Sequence, residues 1–234
     1  MKKAISAIIG LNILIGVGAL LAPSAGYASD DCSNSPMQIY DAAFDFLPGW
    51  LAGRNPNGCW TYGWTKDLSG VLHIYPNASI SPLDNNPQQW IDPANDLGRS
   101  PAVTRNQNGD FDNGNVTWLA GALLLTGDGV DGHSYTHVIW TAPKKGRYLV
   151  STIFYAAQNN ISADVHILVK GRQIFSEIFT QNGVQEEFVE EFSLKRGDKV
   201  DFASGPNGQF FLHPSYTGLV AQVISLKSKD EDED

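Results

Sequence analysis

The sequence predicts an all-β fold, and three observations carry that reading. From Trp60 onward, short runs rich in Val, Ile, Phe, Tyr and Thr are separated by Gly, Asn, Pro and Asp, the signature of strands and turns. Asn-Gly and Asp-Gly pairs recur between the runs, at 57–58, 108–109, 113–114, 128–129, 131–132, 182–183 and 207–208, and such pairs accept the positive φ of tight hairpins. Few stretches show the 3.6-residue apolar period. The best of them, Met37 to Leu47, is too weak to predict a helix.

Taken in order, the chain opens with Lys2 and Lys3, an apolar run from Ala4 to Leu21, a Pro-Ser break and small residues at Gly26 and Ala28. This is the pattern of a cleaved signal peptide over 1–28. At about 18 residues the run reaches spanning length, but Gly10, Asn12, Gly16 and Gly18 thin it, so cleavage is expected and no stable membrane insertion after it. The mature chain is then secreted, extracellular or periplasmic. Its single β-sandwich domain is expected over 29–226, a size that suits one core.

Cys32 and Cys59 both fall in the exported part, where an oxidising compartment favours pairing. Their disulfide would close a loop of roughly 27 residues, worth about 3 kcal/mol in chain entropy.

Trp60, Tyr62 and Trp64 stand at i, i+2 and i+4 and share one strand face. Core filling is the expected role of these rings, an exposed stacking row the alternative. From Tyr75 to Asn115, Pro, Asn, Asp and Gly dominate, which reads as long loops built onto the sandwich. Loops held on a rigid scaffold are the usual carriers of function.

Two segments raise the question of metals. Asp110 and Asp112, in the loop 106–115, supply the hard oxygens that calcium prefers, although the EF-hand register fails. Asp128 and Asp131 form a second oxygen-rich turn. Structural calcium is the one cofactor considered. His133 and His137 would lie about 13 Å apart along a strand, too far for one ion.

Further along, Arg147 to Tyr155 is apolar on both faces and should be a central strand. In 163–170, Ala163, Val165, Ile167 and Val169 alternate with Asp164, His166 and Lys170, which predicts one buried and one solvated face. Val184 to Leu194 puts Glu186 and Glu190 on the face of Phe188, Phe192 and Leu194. A charged sheet edge explains that pattern. Asp230 to Asp234 end an acidic tail over 227–234, whose like charges repel and keep it solvated.

The formal charge of −9 excludes nucleic acid and anionic membranes as natural partners, since both demand clustered Lys and Arg. No nucleophile elbow or phosphate-cradling loop is present, and no Ser-His-Asp grouping is evident in the sequence. Asp198, Asp201, Glu187 and Glu191 are the carboxylates to inspect for paired-acid hydrolysis.

Tyr40 to Trp64, with Asp41, Asp45 and Phe46 and then Asn55-Pro56-Asn57-Gly58-Cys59-Trp60-Thr61-Tyr62-Gly63-Trp64, resembles the opening of a group of uncharacterised secreted bacterial proteins. Trp140 to Pro143 with Gly146-Arg147-Tyr148, Asp164 to His166 with Gly171, Gly197 to Phe202, and Thr217 to Leu219 continue the resemblance over most of 40–225. It implies a jelly-roll β-sandwich of two antiparallel sheets, galactose-binding-like, as in many carbohydrate-binding modules. It brings no activity. Many of those relatives end in a sorting segment, where this chain ends in acidic residues, so free release is expected.

The expected function is a non-catalytic binding domain for carbohydrate, a surface polymer or extracellular matrix. A structural or protein-interaction protein and a polysaccharide-active enzyme are the alternatives. Trp50, Trp90 and Trp118, in or beside loop-like sequence, are the expected ligand contacts, with His213 and Tyr216 beside the last strand.

Overall fold

The computed structural model describes residues 38–81, 87–92, 101–106, 109–127, 134–208 and 215–226. Those residues form two antiparallel sheets packed face to face. The expected signal peptide over 1–28, Cys32, Asp128, Asp131, His133, His213 and the expected tail over 227–234 lie outside the described residues.

Eight strands make the sandwich. They are β9 (Leu123–Thr126), β10 (Tyr135–Thr141), β11 (Gly146–Ala156), β12 (Ala163–Val169), β13 (Arg172–Phe179), β14 (Gln185–Leu194), β15 (Lys199–Gly205) and β16 (Tyr216–Leu226). The first sheet orders them β14-β11-β16-β9 and the second β13-β12-β15-β10. Successive strands alternate between sheets except for β12 and β13, which form a hairpin within the second sheet, the arrangement of a jelly roll. β11 lies between β14 and β16, in agreement with its two apolar faces. β14 is an edge strand, in agreement with its glutamates.

The N-terminal half differs from the expected loops. β1 (Ile39–Asp41) pairs with the far half of β16. β2 (Trp60–Thr65) and β3 (His73–Ile74) extend the second sheet beyond β10. β4 (Asn77–Ile80), β5 (Gln88–Ile91) and β6 (Ala102–Arg105) extend the first beyond β9. The turn-forming residues of 75–115 separate short strands, so composition alone hid them. β7 (Phe111–Asp112) and β8 (Thr117–Trp118) form a small hairpin.

A helix, α1 (Ala42–Ala52), stands where no helix was predicted. Its ends follow capping rules. Asp41 accepts from the N–H groups of Ala43 and Phe44, and Gly53 adopts φ 62° at the C-cap. Pro48 inside it, which removes one ladder donor, masked the pattern. Phe46 packs edge-on against Tyr62, and the Trp50 indole N–H donates to the carbonyls of Ser79 and Gln89, so α1 buttresses β2, β4 and β5. The NPNG segment serves the same region. Asn55 clasps the backbone of Tyr62 through both of its amide atoms and also donates to Tyr75 O.

The main core lies between the sheets and includes Trp60, Tyr62, Trp90, Trp140, Tyr148, Phe154 and Phe202. A second cluster, with Trp118, Tyr155 and Tyr216, fills the space between the first sheet and the β7–β8 hairpin. No helix of the described residues is long and apolar enough to cross a membrane.

Candidate functional site

Burial decides which of the expected contacts can meet a ligand. Trp90 is 1% exposed, because its strand turns the indole inward to stack on Tyr62. Trp118 is 3% exposed, its N–H donated to Ala122 O, and Tyr216 is 8% exposed in the same cluster. Trp50 is half-buried and pinned by its two carbonyl partners. These four were expected to be open contacts; instead they lock loops and strands onto the sandwich. Aromatic area is worth more buried than presented to water.

Trp64 differs from Trp60 and Tyr62 on the same strand face. Those two fill the core, while Trp64 reaches the end of the sandwich half-buried. Its partner across the β2–β3 ladder is His73, which is exposed. The two rings stack at 4.4 Å between centroids and 16° between planes. The indole N–H donates to Asp92 Oδ2 at 3.1 Å, just after β5, so the ring bridges the two sheets. Ile74 and Val71 flank it, both exposed. Together they make a ledge at the end where the chain passes from β3 to β4, one ring on another with a carboxylate at its rim.

The outward face of the second sheet holds a different chemistry. Asp164 and His166, expected in solvent, are 9% and 6% exposed. His166 Nε2 lies 2.8 Å from Asp164 Oδ2, which also accepts from the Tyr135 hydroxyl at 2.6 Å. Tyr135 reaches there by lying across Gly205, where any Cβ would come within 2.2 Å of its ring. Burial would raise the Asp164 carboxyl, but the donors His166, Tyr135 and Asn207 N–H outweigh it and hold the group below the usual range. The Tyr135 phenol is raised by burial and by that same carboxylate. On the neighbouring strands His137 joins Asp201 to Thr65. The alternation rule failed here because both faces of β12 are buried.

Asp112 Oδ1 accepts from Gly114 N–H and closes a turn, while Asp110 Oδ1 accepts from Ala120 N–H ten residues on and ties the loop to the segment after β8. Among the described residues no three His, Cys, Asp or Glu side chains form a metal-holding group. The four inspected carboxylates are dispersed. Asp198 accepts from Lys195 N–H, Asp201 faces His137, Glu191 pairs with Arg147, and Glu187 is exposed on the β14 edge. Cys59 is buried and no free cysteine occurs among the described residues.

No family model matches the chain, and no curated protein matches it. Solved structures with a similar arrangement include a CBM51 module of a GH95 protein from Clostridium perfringens in complex with methyl-galactose. It is 11% identical, with 54% of this chain and 81% of that chain covered and a TM-score of 0.35. Tandem CBM51 modules of a family 98 glycoside hydrolase from Streptococcus pneumoniae are 11% identical over 72% of this chain and 49% of theirs, with a TM-score of 0.41. A family 35 carbohydrate-binding module from Clostridium thermocellum is 18% identical over 46% and 93%, with a TM-score of 0.25. The likeness is one of general architecture and assigns no residue a role.

Proposed function

We propose that this chain is an exported carbohydrate-binding domain and that the Trp64–His73–Asp92 ledge is its sugar contact. One observation carries the reading: an exposed aromatic ring, stacked on a second ring and bordered by a carboxylate, at an open end of a rigid sandwich. The outer face of the His73 ring suits the C–H face of a sugar, and Asp92 offers an acceptor to its hydroxyls. In this reading the ledge holds its ligand and does no chemistry on it. In this reading the leader is removed after Ala28 and Cys32 pairs with buried Cys59.

Affinity electrophoresis against a panel of neutral polysaccharides tests it. The protein should be retarded by at least one polymer, and His73→Ala should abolish the retardation without lowering the melting temperature. Free migration on every gel would refute the reading.

A protein-interaction role is the second reading, favoured by one observation. Phe44 and Leu51, seven residues apart on one side of α1, are 72% and 70% exposed. Light scattering that shows a dimer, lost in Phe44→Ser, would support it. Calcium at Asp110 and Asp112 is a smaller proposal, checked by whether calcium raises the melting temperature over chelator.

A further inference from the structure

Asn-Gly pairs recur along the chain, and four of them, at 57–58, 113–114, 182–183 and 207–208, fall wholly among the described residues. In such a pair the glycine nitrogen can close on the side-chain amide carbon of the asparagine before it, a five-membered ring that no Cβ on the glycine obstructs. Three of the four are held against that reaction. Asn57 Nδ2 donates to Asp45 O, Asn182 Nδ2 to Asn159 Oδ1 and Asn207 Nδ2 to Ser162 Oγ, so each nitrogen that would have to leave is tied to the fold. The Gly183 N–H is committed as well, to Ala156 O.

Asn113 is arranged the other way. It stands in the turn of the β7–β8 hairpin, exposed together with Asp112 and Gly114. Its Oδ1 accepts from two backbone N–H groups, Asn115 at 3.0 Å and Val116 at 2.9 Å. Two donors fix which side-chain atom is the oxygen, so Nδ2 takes no part in these bonds. The same donors draw charge from Cγ and stand ready for the negative charge that grows on Oδ1 under attack.

The attacking atom is prepared too. Gly114 N–H donates to Asp112 Oδ1 at 2.7 Å, a bond to a carboxylate that can take its proton. Asn159 holds the turn from a neighbouring segment, its Nδ2 donating to Gly114 O at 2.7 Å and its N–H to Asn115 O at 2.9 Å. Gly114 adopts φ 79°, with open space where a Cβ would stand. No distant groups have to meet, because Gly114 N is bonded to the carbonyl carbon of Asn113 itself.

We propose that Asn113 is a self-modifying site, where the chain converts its own amide to aspartate and isoaspartate with water as co-reactant. Gly114 N attacks Asn113 Cγ as its proton passes to Asp112. The N–Cγ bond forms, the Cγ–Nδ2 bond breaks, and Nδ2 takes the proton from Asp112 and leaves as ammonia. Water then adds to either carbonyl of the cyclic imide and opens it, giving aspartate or the isomer in which the chain runs through the side-chain carboxyl. Either product adds a negative charge beside Asp112, and the isomer lengthens the turn by one methylene. The hairpin covers the Trp118–Tyr155–Tyr216 cluster, so the conversion loosens that cover with time. The site does not rest on the carbohydrate reading.

Ageing the full chain in neutral buffer with chelator, so that no cation competes for Asp112, tests this by peptide mass and by enzymatic methylation of isoaspartate. Conversion at Asn113 is expected about 10²-fold faster than at Asn57, Asn182 or Asn207. Unfolding the chain in urea should bring all four to one rate, since the donors to Oδ1 belong to the hairpin. Asp112→Asn keeps an oxygen acceptor but no base, and should slow the conversion about 10²-fold. Because that variant can reshape the turn, the wild-type rate is also followed against pH across neutrality. It should stay nearly level, as for a built-in base, where an unassisted amide climbs with hydroxide. Equal rates at the four pairs in the folded chain, an Asp112→Asn variant as fast as wild type, or a wild-type rate that rises in proportion to hydroxide overturns the proposal.

Discussion

The two ends of the sandwich are closed in the same way and finished differently. At one end the chain passes from β3, the last strand of the second sheet, to β4, the last of the first; at the other it passes from β13 to β14, again edge to edge. The β13–β14 end is sealed by hydrocarbon. Phe175 contacts Phe154 and Phe188, and Phe188 contacts Phe192, with the glutamates of β14 outside them. The β3–β4 end is finished by a polar stack, an imidazole on an indole whose N–H is tied to a carboxylate. An end filled by its own phenyl rings has no face to spare. An end whose outermost ring is exposed and polar does, and that difference is why we propose recognition at β3–β4.

Variants at the two ends should therefore separate stability from binding. Trp64→Ala removes the bridge between the sheets and the floor of the ledge together; a loss of about 3 kcal/mol in urea unfolding is expected along with all sugar binding. Phe175→Ala should cost about 2 kcal/mol, less than a fully buried Phe because the ring is half-buried, and leave binding intact. If it weakened binding as much as Trp64→Ala, the distinction between the ends would collapse.

The acids of the two regions should respond differently as well. Asp45, on α1 beneath the β3–β4 end, is pushed up to about 6 by burial, with the Trp60 hydrogen bond opposing and Asp41 adding to the rise. A carboxyl raised in the folded state binds more protons there, so its contribution to stability is full below about 4 and is lost as pH rises through about 6. Asp45→Asn should therefore stabilise by about 1–3 kcal/mol at pH 8 and give no gain at pH 4, read from thermal melts. Glu187→Gln on the open β14 edge should change stability by less than about 0.5 kcal/mol and leave binding untouched.

Strand β14 and strand β12 show what the sequence could and could not convey. Both alternate charged and apolar residues. In β14 the charges are at a sheet edge, as the pattern implied, because the conflict between Glu190 and its phenylalanine neighbours is local. In β12 the inward set was legible, but Asp164 and His166 are buried too, Asp164 accepting from Tyr135 and Asn207 of distant segments and from His166. A period of two reports one covered face and is silent about a second.

The ledge was hidden for a similar reason. Trp64 and His73 are joined by a turn without strand character, and only the β2–β3 pairing brings their rings together. Trp90 was misjudged because Gln88 and Gln89 look like loop residues, yet both are buried in β5. Capping signals at Asp41 and Gly53 were available for α1, and Pro48 obscured them.

Titration of the labelled protein with the polysaccharide it binds, followed by NMR at every backbone amide, indole N–H and imidazole, addresses the recognition site most directly. The Trp64 indole, the His73 ring and the amide of Asp92 should shift together while the amides of β13 and β14 stay still. Shifts gathered at β13–β14, with Trp64 and His73 unmoved, would contradict the account.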